Sequence, residues 1–140
     1  MAKVVYTGYF VNDTEELLRR VPIVLTGDTV KVYAHHLTKE FHPSDGVRGI
    51  DIGVVKTLYA YGQVITDQIQ TVLIRDDELE PLSANRFPHI TLATSDNTQP
   101  SRSNDAIEKA VTDNTITTFS EPVPILVTEG YFDGSEVRIR

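Results

Sequence analysis

The stretch Phe-Pro-His-Ile-Thr-Leu-Ala-Thr at residues 87–94 is typical of a β-strand, and its centre is a histidine, an apolar residue and a threonine. The same pattern occurs earlier as His36-Leu37-Thr38, in a second stretch rich in β-branched and aromatic residues. Side chains two positions apart share one face of a strand, so each copy directs an imidazole and a hydroxyl to one face and its apolar residue to the other. Two such strands side by side would surround a cleft with two imidazoles and two hydroxyls.

The elements predicted around these strands indicate an α+β fold dominated by antiparallel sheet. We expect about eight strands, over residues 4–11, 30–41, 50–61, 69–75, 87–94, 115–119, 123–131 and 136–140, and two helices, over 14–20 and 104–111. Asn12 or Asp13 can cap the first helix, and Ser103 can cap the second. Residues 1–140 are expected to form a single domain, because no linker or low-complexity segment interrupts them.

The composition narrows the classes of function. The chain has no cysteine, which excludes a disulfide scaffold, a thiolate zinc site and a cysteine nucleophile. Its formal net charge of −7 and the lack of a basic run argue against tight binding of long duplex nucleic acid, which needs many phosphate contacts. No apolar run approaches the roughly 18 residues of a membrane span, and the N-terminus lacks the apolar stretch of a signal peptide. We therefore expect a cytoplasmic protein with no membrane partner.

The paired His-x-Thr motif supplies the groups that phosphodiester cleavage requires. A neutral imidazole can take a proton from the attacking water or hydroxyl, while a protonated one gives a proton to the leaving oxygen. Two threonine hydroxyls can hold the non-bridging phosphate oxygens. His36 and His89 are thus the candidate catalytic pair, Thr38 and Thr91 the candidate phosphate ligands, and neither a metal nor a cofactor is expected. A single His-x-Thr in a strand is usually structural, since threonine favours strands, but two copies favour catalysis.

These residues resemble the 2H phosphoesterase superfamily, which is defined by two His-h-[Ser/Thr]-h motifs in which h is hydrophobic. The second copy, at residues 89–92, matches the pattern in full, whereas the first departs from it at Lys39. The stretches 6–10, 34–38 and 87–93, with Ser103 and Asn104 downstream, resemble a branch related to RNA-repair and RNA-ligase-associated phosphodiesterase domains. The resemblance covers most of residues 4 to 131.

The resemblance implies a bilobal fold, in which two antiparallel sheets with flanking helices each carry one motif and the active site lies between the lobes. It also implies hydrolysis of 2′,3′-cyclic phosphates, 2′–5′ linkages or cyclic (oligo)nucleotides, and the superfamily includes phage enzymes that degrade cyclic oligonucleotide immune signals. Carried over to this chain, it makes His36 and His89 the acid/base pair and Thr38 and Thr91 the phosphate ligands. The sequence leaves open which histidine is the acid. Asn104 either contacts the ligand or only begins the second helix.

Three other residues are candidates for contact with a substrate. Tyr9, or Tyr6 with the opposite strand parity, can stack on a base, and Lys39 and Arg86 can bind phosphate; packing is the alternative for the tyrosine, and a solvated surface position is the alternative for the two cations. His35 has the opposite strand parity to His36, so we expect it in the core or on the surface unless a bulge exchanges the two. No acidic residue lies at a spacing that suggests a metal site.

Three hypotheses for function remain at this point. The leading one is an enzyme that acts on a nucleotide, a short or cyclic oligonucleotide, or an RNA end. The second is a module of the same fold that binds a nucleotide without cleaving it. The third is a structural or interaction protein in which the motifs coincide by chance, as His42-Pro43-Ser44 shows that the spacing can arise at a turn. The sequence does not determine the oligomeric state.

Overall fold

The computed structural model of the chain describes residues 4–27, 29–44, 46–76 and 87–140. These residues contain eight strands and two α-helices, which confirms the predicted α+β class. The strands are β1 (Tyr6–Val11), β2 (Val30–Val32), β3 (His36–Phe41), β4 (Val55–Ile65), β5 (Ile69–Arg75), β6 (His89–Ser95), β7 (Thr117–Phe132) and β8 (Val137–Arg138). The helices are α1 (Thr14–Arg20) and α2 (Ser103–Asp113), and a short 3-10 turn (Pro100–Arg102) precedes α2. Neither helix in this part of the chain is long and apolar enough to cross a membrane.

Six of the strands close into an antiparallel barrel in the order β1-β3-β6-β5-β4-β7, because β7 pairs back onto β1. β2 adds to β6, and β8 adds to β7. The predicted pair of separate sheets is therefore corrected to one sheet that closes on itself. The reason is the length of β7, whose 16 residues pair with β4 along one part and with β1 along the other.

The interior of the barrel is an apolar core. Its largest fully buried members come from β3, β4, β5, β6 and β7, namely Leu37, Leu58, Val72, Ile74, Ile90, Leu92 and Val127. A second, smaller cluster lies on the outer face, where α2 packs Ile107 and Ala110 against Val64 and Leu73. This packing fixes the position of α2 on the barrel, and its first turn lies beside the start of β6.

Local sequence signals account for several element boundaries. The Asp13 side chain accepts a hydrogen bond from the Glu16 N–H at 3.0 Å, which confirms the predicted cap of α1. The predicted single strand over residues 30–41 is divided into β2 and β3 because Ala34 adopts a left-handed φ of 54°. The predicted strands over 115–119 and 123–131 are one strand, β7, in which the chain stays extended although its pairing with β4 is interrupted between Thr118 and Val123.

The two strands that carry the His-x-Thr motif are neighbours in the barrel and meet at a single antiparallel pair, Leu37 opposite Ile90. We call this pair the motif seam. Both side chains are 0% exposed and point into the core, so the seam is held by apolar packing inside the barrel as much as by strand pairing.

Truncation of the seam should be costly. Leu37→Ala is expected to lower the free energy of unfolding by about 2–5 kcal/mol, since it leaves a cavity in a fully packed core. Leu126→Ala removes the same atoms from a side chain that is 57% exposed on β7, and it should change the free energy of unfolding by no more than about 0.5 kcal/mol. Urea unfolding of both variants measures the difference. Equal losses in the two variants would contradict the central place of the seam in the core.

Candidate active site

The motif seam fixes the relative positions of the four motif side chains. In an antiparallel pair, the register on either side of the seam sets His36 opposite Thr91 and Thr38 opposite His89. All four side chains point away from the core, because they alternate with the buried seam residues. The predicted catalytic and phosphate-binding residues are thus brought together on the outer face of the barrel, in an arrangement with approximate twofold symmetry about the seam.

These four side chains line one cavity of about 420 Å³. The other lining residues come from four places: Tyr6 on β1, Tyr33 and His35 between β2 and β3, Phe41 at the end of β3, and Gln99, Pro100, Ser101 and Asn104 at the approach to α2 and in its first turn. Among the described residues that line it there is no Lys, Arg, Asp or Glu. An anion in this cavity would therefore be held by neutral donors, by the histidines and by the amino end of α2.

A β-bulge follows the motif in both strands. On β3 the pairing with β1 passes from Thr38 to Glu40 and leaves Lys39 without a partner residue. On β6 the pairing with β5 passes from Thr91 to Ala93 and leaves Leu92 without one. The fourth motif position is thus the extra residue of a bulge in each strand, and a bulge shifts the alternation of side chains by one position. This shift brings Phe41 onto the same face as the motif threonine of β3.

The His36 ring is packed between two other rings. The ring centroids of Tyr6 and His35 lie 4.6 Å and 4.5 Å from that of His36, and both rings are stacked on it. The Nδ1 atoms of His35 and His36 are within hydrogen-bond distance of each other, so one of them donates its proton to the other. Burial, together with smaller contributions from the neighbouring His35 and His89, lowers the pKa of His36 to about 3. His36 is therefore a neutral imidazole at neutral pH.

The orientation of His89 is fixed by the backbone. Its Nδ1 lies 2.8 Å from the carbonyl oxygen of Phe87, and an N–H at this position donates to that oxygen. Nε2 is consequently the ring nitrogen left for a ligand. Burial lowers the pKa of His89, while the hydrogen bond to Phe87 acts in the opposite direction, because it stabilises the protonated ring. Of the two motif histidines, His89 is the one with a partner that favours its charged form.

The hydroxyl of Thr91 is tied to the start of α2. Its Oγ1 lies 2.8 Å from the Oγ of Ser103, which is fully buried. The sequence predicted Ser103 as the cap of α2. In the structure Ser103 is the first residue of the helix, and Arg102 is the cap. Asn104 follows it and lines the cavity, as the sequence predicted for a ligand contact. The 3-10 turn that begins at Pro100 leads into the helix, whose amino end, with its partial positive charge, thus lies beside a phosphate-sized space.

Two of the other predicted substrate contacts are corrected. Tyr9 is 4% exposed and belongs to the barrel core. Lys39 lies at one end of the interior, where its Nζ is 3.1 Å from Oε2 of the buried Glu129. Neither side chain lines the cavity, because both have the parity that faces inward. The third predicted contact, Arg86, lies outside the described residues.

The cavity contains residues whose position the sequence left open or did not predict. Tyr6 has the opposite parity to Tyr9 on β1, and this was the available signal that one of the two must face outward. His35 enters the cavity from the segment before β3, where strand parity does not apply. His42, with its left-handed φ of 45°, packs on Phe41 and does not line the cavity.

The remaining observations concern metals and relatives. Among the described residues, no group of three or more His, Cys, Asp or Glu side chains is arranged to hold a metal ion. The sequence matches no model of a known protein family, and a search of curated proteins gives no match. The function must therefore be argued from the site itself.

The lowered pKa of His36 makes stability depend on pH. The unfolded chain protonates this histidine near pH 6.5, whereas the folded chain does so only near pH 3. Between these values the unfolded state binds more protons, so the free energy of unfolding falls as the pH falls from about 6.5, by at most about 1.4 kcal/mol per pH unit for one group. His36→Asn should show a shallower fall in urea unfolding at pH 7.5, 6 and 5. Parallel pH profiles for the two proteins would rule out this effect.

Proposed function

We propose that this protein is a two-histidine phosphodiesterase that acts on a 2′,3′-cyclic phosphate, a 2′–5′ linkage or a cyclic (oligo)nucleotide without a metal cofactor. The single observation that supports this most is that both His-x-Thr pairs line one cavity in a twofold arrangement. It is also what the resemblance to the 2H phosphoesterase superfamily implies for these four residues.

In the proposed reaction His36 is the general base, because it is the imidazole held neutral. His36 accepts a proton from a water molecule whose oxygen forms a bond to phosphorus. The bond between phosphorus and the leaving oxygen breaks, and His89 gives that oxygen a proton through Nε2. One water is consumed, and a proton then returns from His36 to His89 through solvent. Each transfer of this kind contributes roughly 10²–10⁴-fold to the rate.

His89 is assigned as the general acid because of its hydrogen bond to Phe87 and its position opposite Thr38. In the free protein, burial lowers the pKa of His89. A bound phosphodiester brings a negative charge within a few ångströms and favours the protonated ring. The substrate itself therefore promotes the protonation that its cleavage requires.

The phosphate oxygens have three sources of neutral donors. Thr38 and Thr91 offer hydroxyls from opposite sides of the seam, and Asn104 in the first turn of α2 offers its side-chain amide. Donors that are fixed in place before the substrate binds stabilise the charge that develops in the transition state without reorganisation. The hydrogen bond between Ser103 and Thr91 holds the Thr91 hydroxyl in place before a substrate binds.

A nucleotide-binding module without catalysis is the second candidate. The observation that favours it is that both motif histidines have a lowered pKa, so that only a small fraction of either is protonated, and able to act as an acid, at neutral pH before a ligand binds. Within the enzyme proposal, RNA-end repair and the degradation of cyclic immune signals are two possible roles of the same chemistry. A cytoplasmic location stays a prediction.

Removal of either histidine separates these candidates. His36→Ala and His89→Ala are each expected to lower kcat by roughly 10²–10⁴-fold. The assay contains EDTA and a panel of 2′,3′-cyclic nucleotides, 2′–5′ dinucleotides and cyclic di- and trinucleotides. His42→Asn is the matched control, because it removes a histidine that does not line the cavity, and it should retain full activity. Ligand binding without turnover in the unmodified protein would favour the binding module. If the unmodified protein shows neither binding nor turnover, the two motifs have only a structural role in their strands.

The assigned roles also predict the pH profile. Since His36 must be neutral and His89 protonated, kcat/KM should have its optimum on the acidic side of pH 6.5, between the pKa of His36 near 3 and the lowered pKa of His89. Above the pKa of His89, kcat/KM should fall about tenfold per pH unit, as the protonated fraction does. His89→Gln should abolish this alkaline limb in its residual activity. An optimum above pH 8 would contradict the assignment of His36 as the base and His89 as the acid.

A further inference from the structure

A second, smaller cavity of about 110 Å³ adjoins the first. Tyr33 and Gln99 belong to both and form the wall between them. The rest of the smaller cavity is polar and includes Lys31, Thr94 and Asn97. We call these five residues the polar groove. Because the wall is shared, a ligand that fills the larger cavity can extend into the groove without crossing the core.

The bulge on β6 is what directs the groove and the motif to the same side. Thr91 and Thr94 are three residues apart, so strict alternation would place their side chains on opposite faces of the sheet. The extra residue Leu92 shifts the alternation by one, so Thr91 lines the larger cavity and Thr94, although only 2% exposed, lines the smaller one.

Lys31 brings a positive charge to this face. It pairs directly with Thr94 across β2 and β6, and its parity matches that of Tyr33, which reaches both cavities. It is the only Lys or Arg among the described residues that line the two cavities. No hydrogen bond or ion pair to Lys31 occurs within the described part of the chain. In a protein with a net charge of −7, this lysine is a local exception beside a site built for an anion.

The spacing suits a chain with more than one phosphate. Thr91, at the proposed site of cleavage, and Thr94, beside Lys31, are three steps apart along β6, or roughly 10 Å at about 3.3 Å per residue. A lysine side chain adds further reach. One nucleotide unit can therefore connect a phosphate at the motif threonines with a second phosphate at the ammonium group.

We propose that the polar groove binds a second phosphate of the substrate through Lys31, and that the preferred substrate is accordingly an oligonucleotide of at least two nucleotides rather than a mononucleotide. This inference rests on the proposed phosphodiesterase activity at the neighbouring cavity. Tyr33, on the wall between the two cavities, is positioned to contact the base or sugar that joins the two phosphates.

The test compares adenosine 2′,3′-cyclic phosphate with the dinucleotide adenylyl-adenosine 2′,3′-cyclic phosphate, which carries the same reactive group and one more phosphodiester. The unmodified protein should have the higher kcat/KM on the dinucleotide. Lys31→Ala should lower the ratio of kcat/KM on the dinucleotide to kcat/KM on the mononucleotide about tenfold, since it removes a hydrogen bond between charged groups. Lys31→Arg should largely restore it.

Lys109→Ala is the matched control, because Lys109 is an exposed lysine on α2 that lines neither cavity. It should leave the ratio unchanged, although it alters the net charge by the same amount. The slope of log kcat/KM for the dinucleotide against log salt should become shallower by about 0.7 in Lys31→Ala only. If Lys31→Ala and Lys109→Ala give the same ratio and slope, or if the mononucleotide is the better substrate, the groove does not bind a second phosphate.

A binding measurement keeps this result separate from failure of the proposed activity. Calorimetric titration of the dinucleotide into His89→Gln and into the double variant with Lys31→Ala requires no turnover. If no substrate is cleaved by the unmodified protein but the dinucleotide binds about tenfold more weakly to the double variant, the phosphodiesterase proposal fails and the groove stands. Equal binding to the two variants overturns the groove, whatever the activity.

Discussion

The packing of Leu37 against Ile90 inside the barrel is the interaction on which the cavity depends. Each of these side chains is fully buried, and each belongs to a strand whose next residues in both directions carry the polar motif. Because strand side chains alternate, burying the central residue of each motif forces the imidazole and the hydroxyl outward. A single apolar contact thus orients four polar groups, and it does so through the hydrophobic effect, which supplies most of the driving force for folding.

The two bulges explain why the motif tolerates different residues at its fourth position. In each strand this position is the extra residue of the bulge, with no register partner on β1 or β5, so the side chains around it determine which residue type fits. On β6 the neighbours are apolar and the residue is Leu92, which joins the core. On β3 the residue is Lys39, whose charge is matched by Glu129 and whose ammonium lies 5.9 Å from the centre of the Tyr9 ring. A hydrophobic residue and an ion-paired lysine therefore occupy equivalent places.

The sequence predicted those features that follow from local alternation and capping. The outward direction of His36 and His89, the cap at Asp13 and the α+β class all depend on residues close in the chain, and the structure confirms them. What the sequence did not predict depends on contacts between distant strands. The closure of the sheet through β7, the bulges and the choice between Tyr6 and Tyr9 are set by how strands pair, and a one-residue shift in pairing reverses every side chain beyond it. The break at Ala34 was missed for a different reason, since alanine gives no signal for a left-handed backbone.

The electrostatics of the cavity place a constraint on how it could work. An acidic protein that binds an anion usually concentrates cations at the site, but the larger cavity has no described Lys or Arg in its lining, and its histidines have lowered pKa values. The described lining therefore holds no permanent positive charge, which would be costly to bury without a partner. Hydroxyls, the Asn104 side chain and neutral imidazoles can bind a phosphodiester, whose own charge then raises the pKa of the imidazole beside it. His36 resists this change because the stacked rings of Tyr6 and His35 exclude water from it. His89, with its carbonyl partner at Phe87, is free to respond. Two chemically identical side chains related by an approximate twofold axis are in this way made unequal, and inequality of this kind is what a pair needs to act as acid and base in one step.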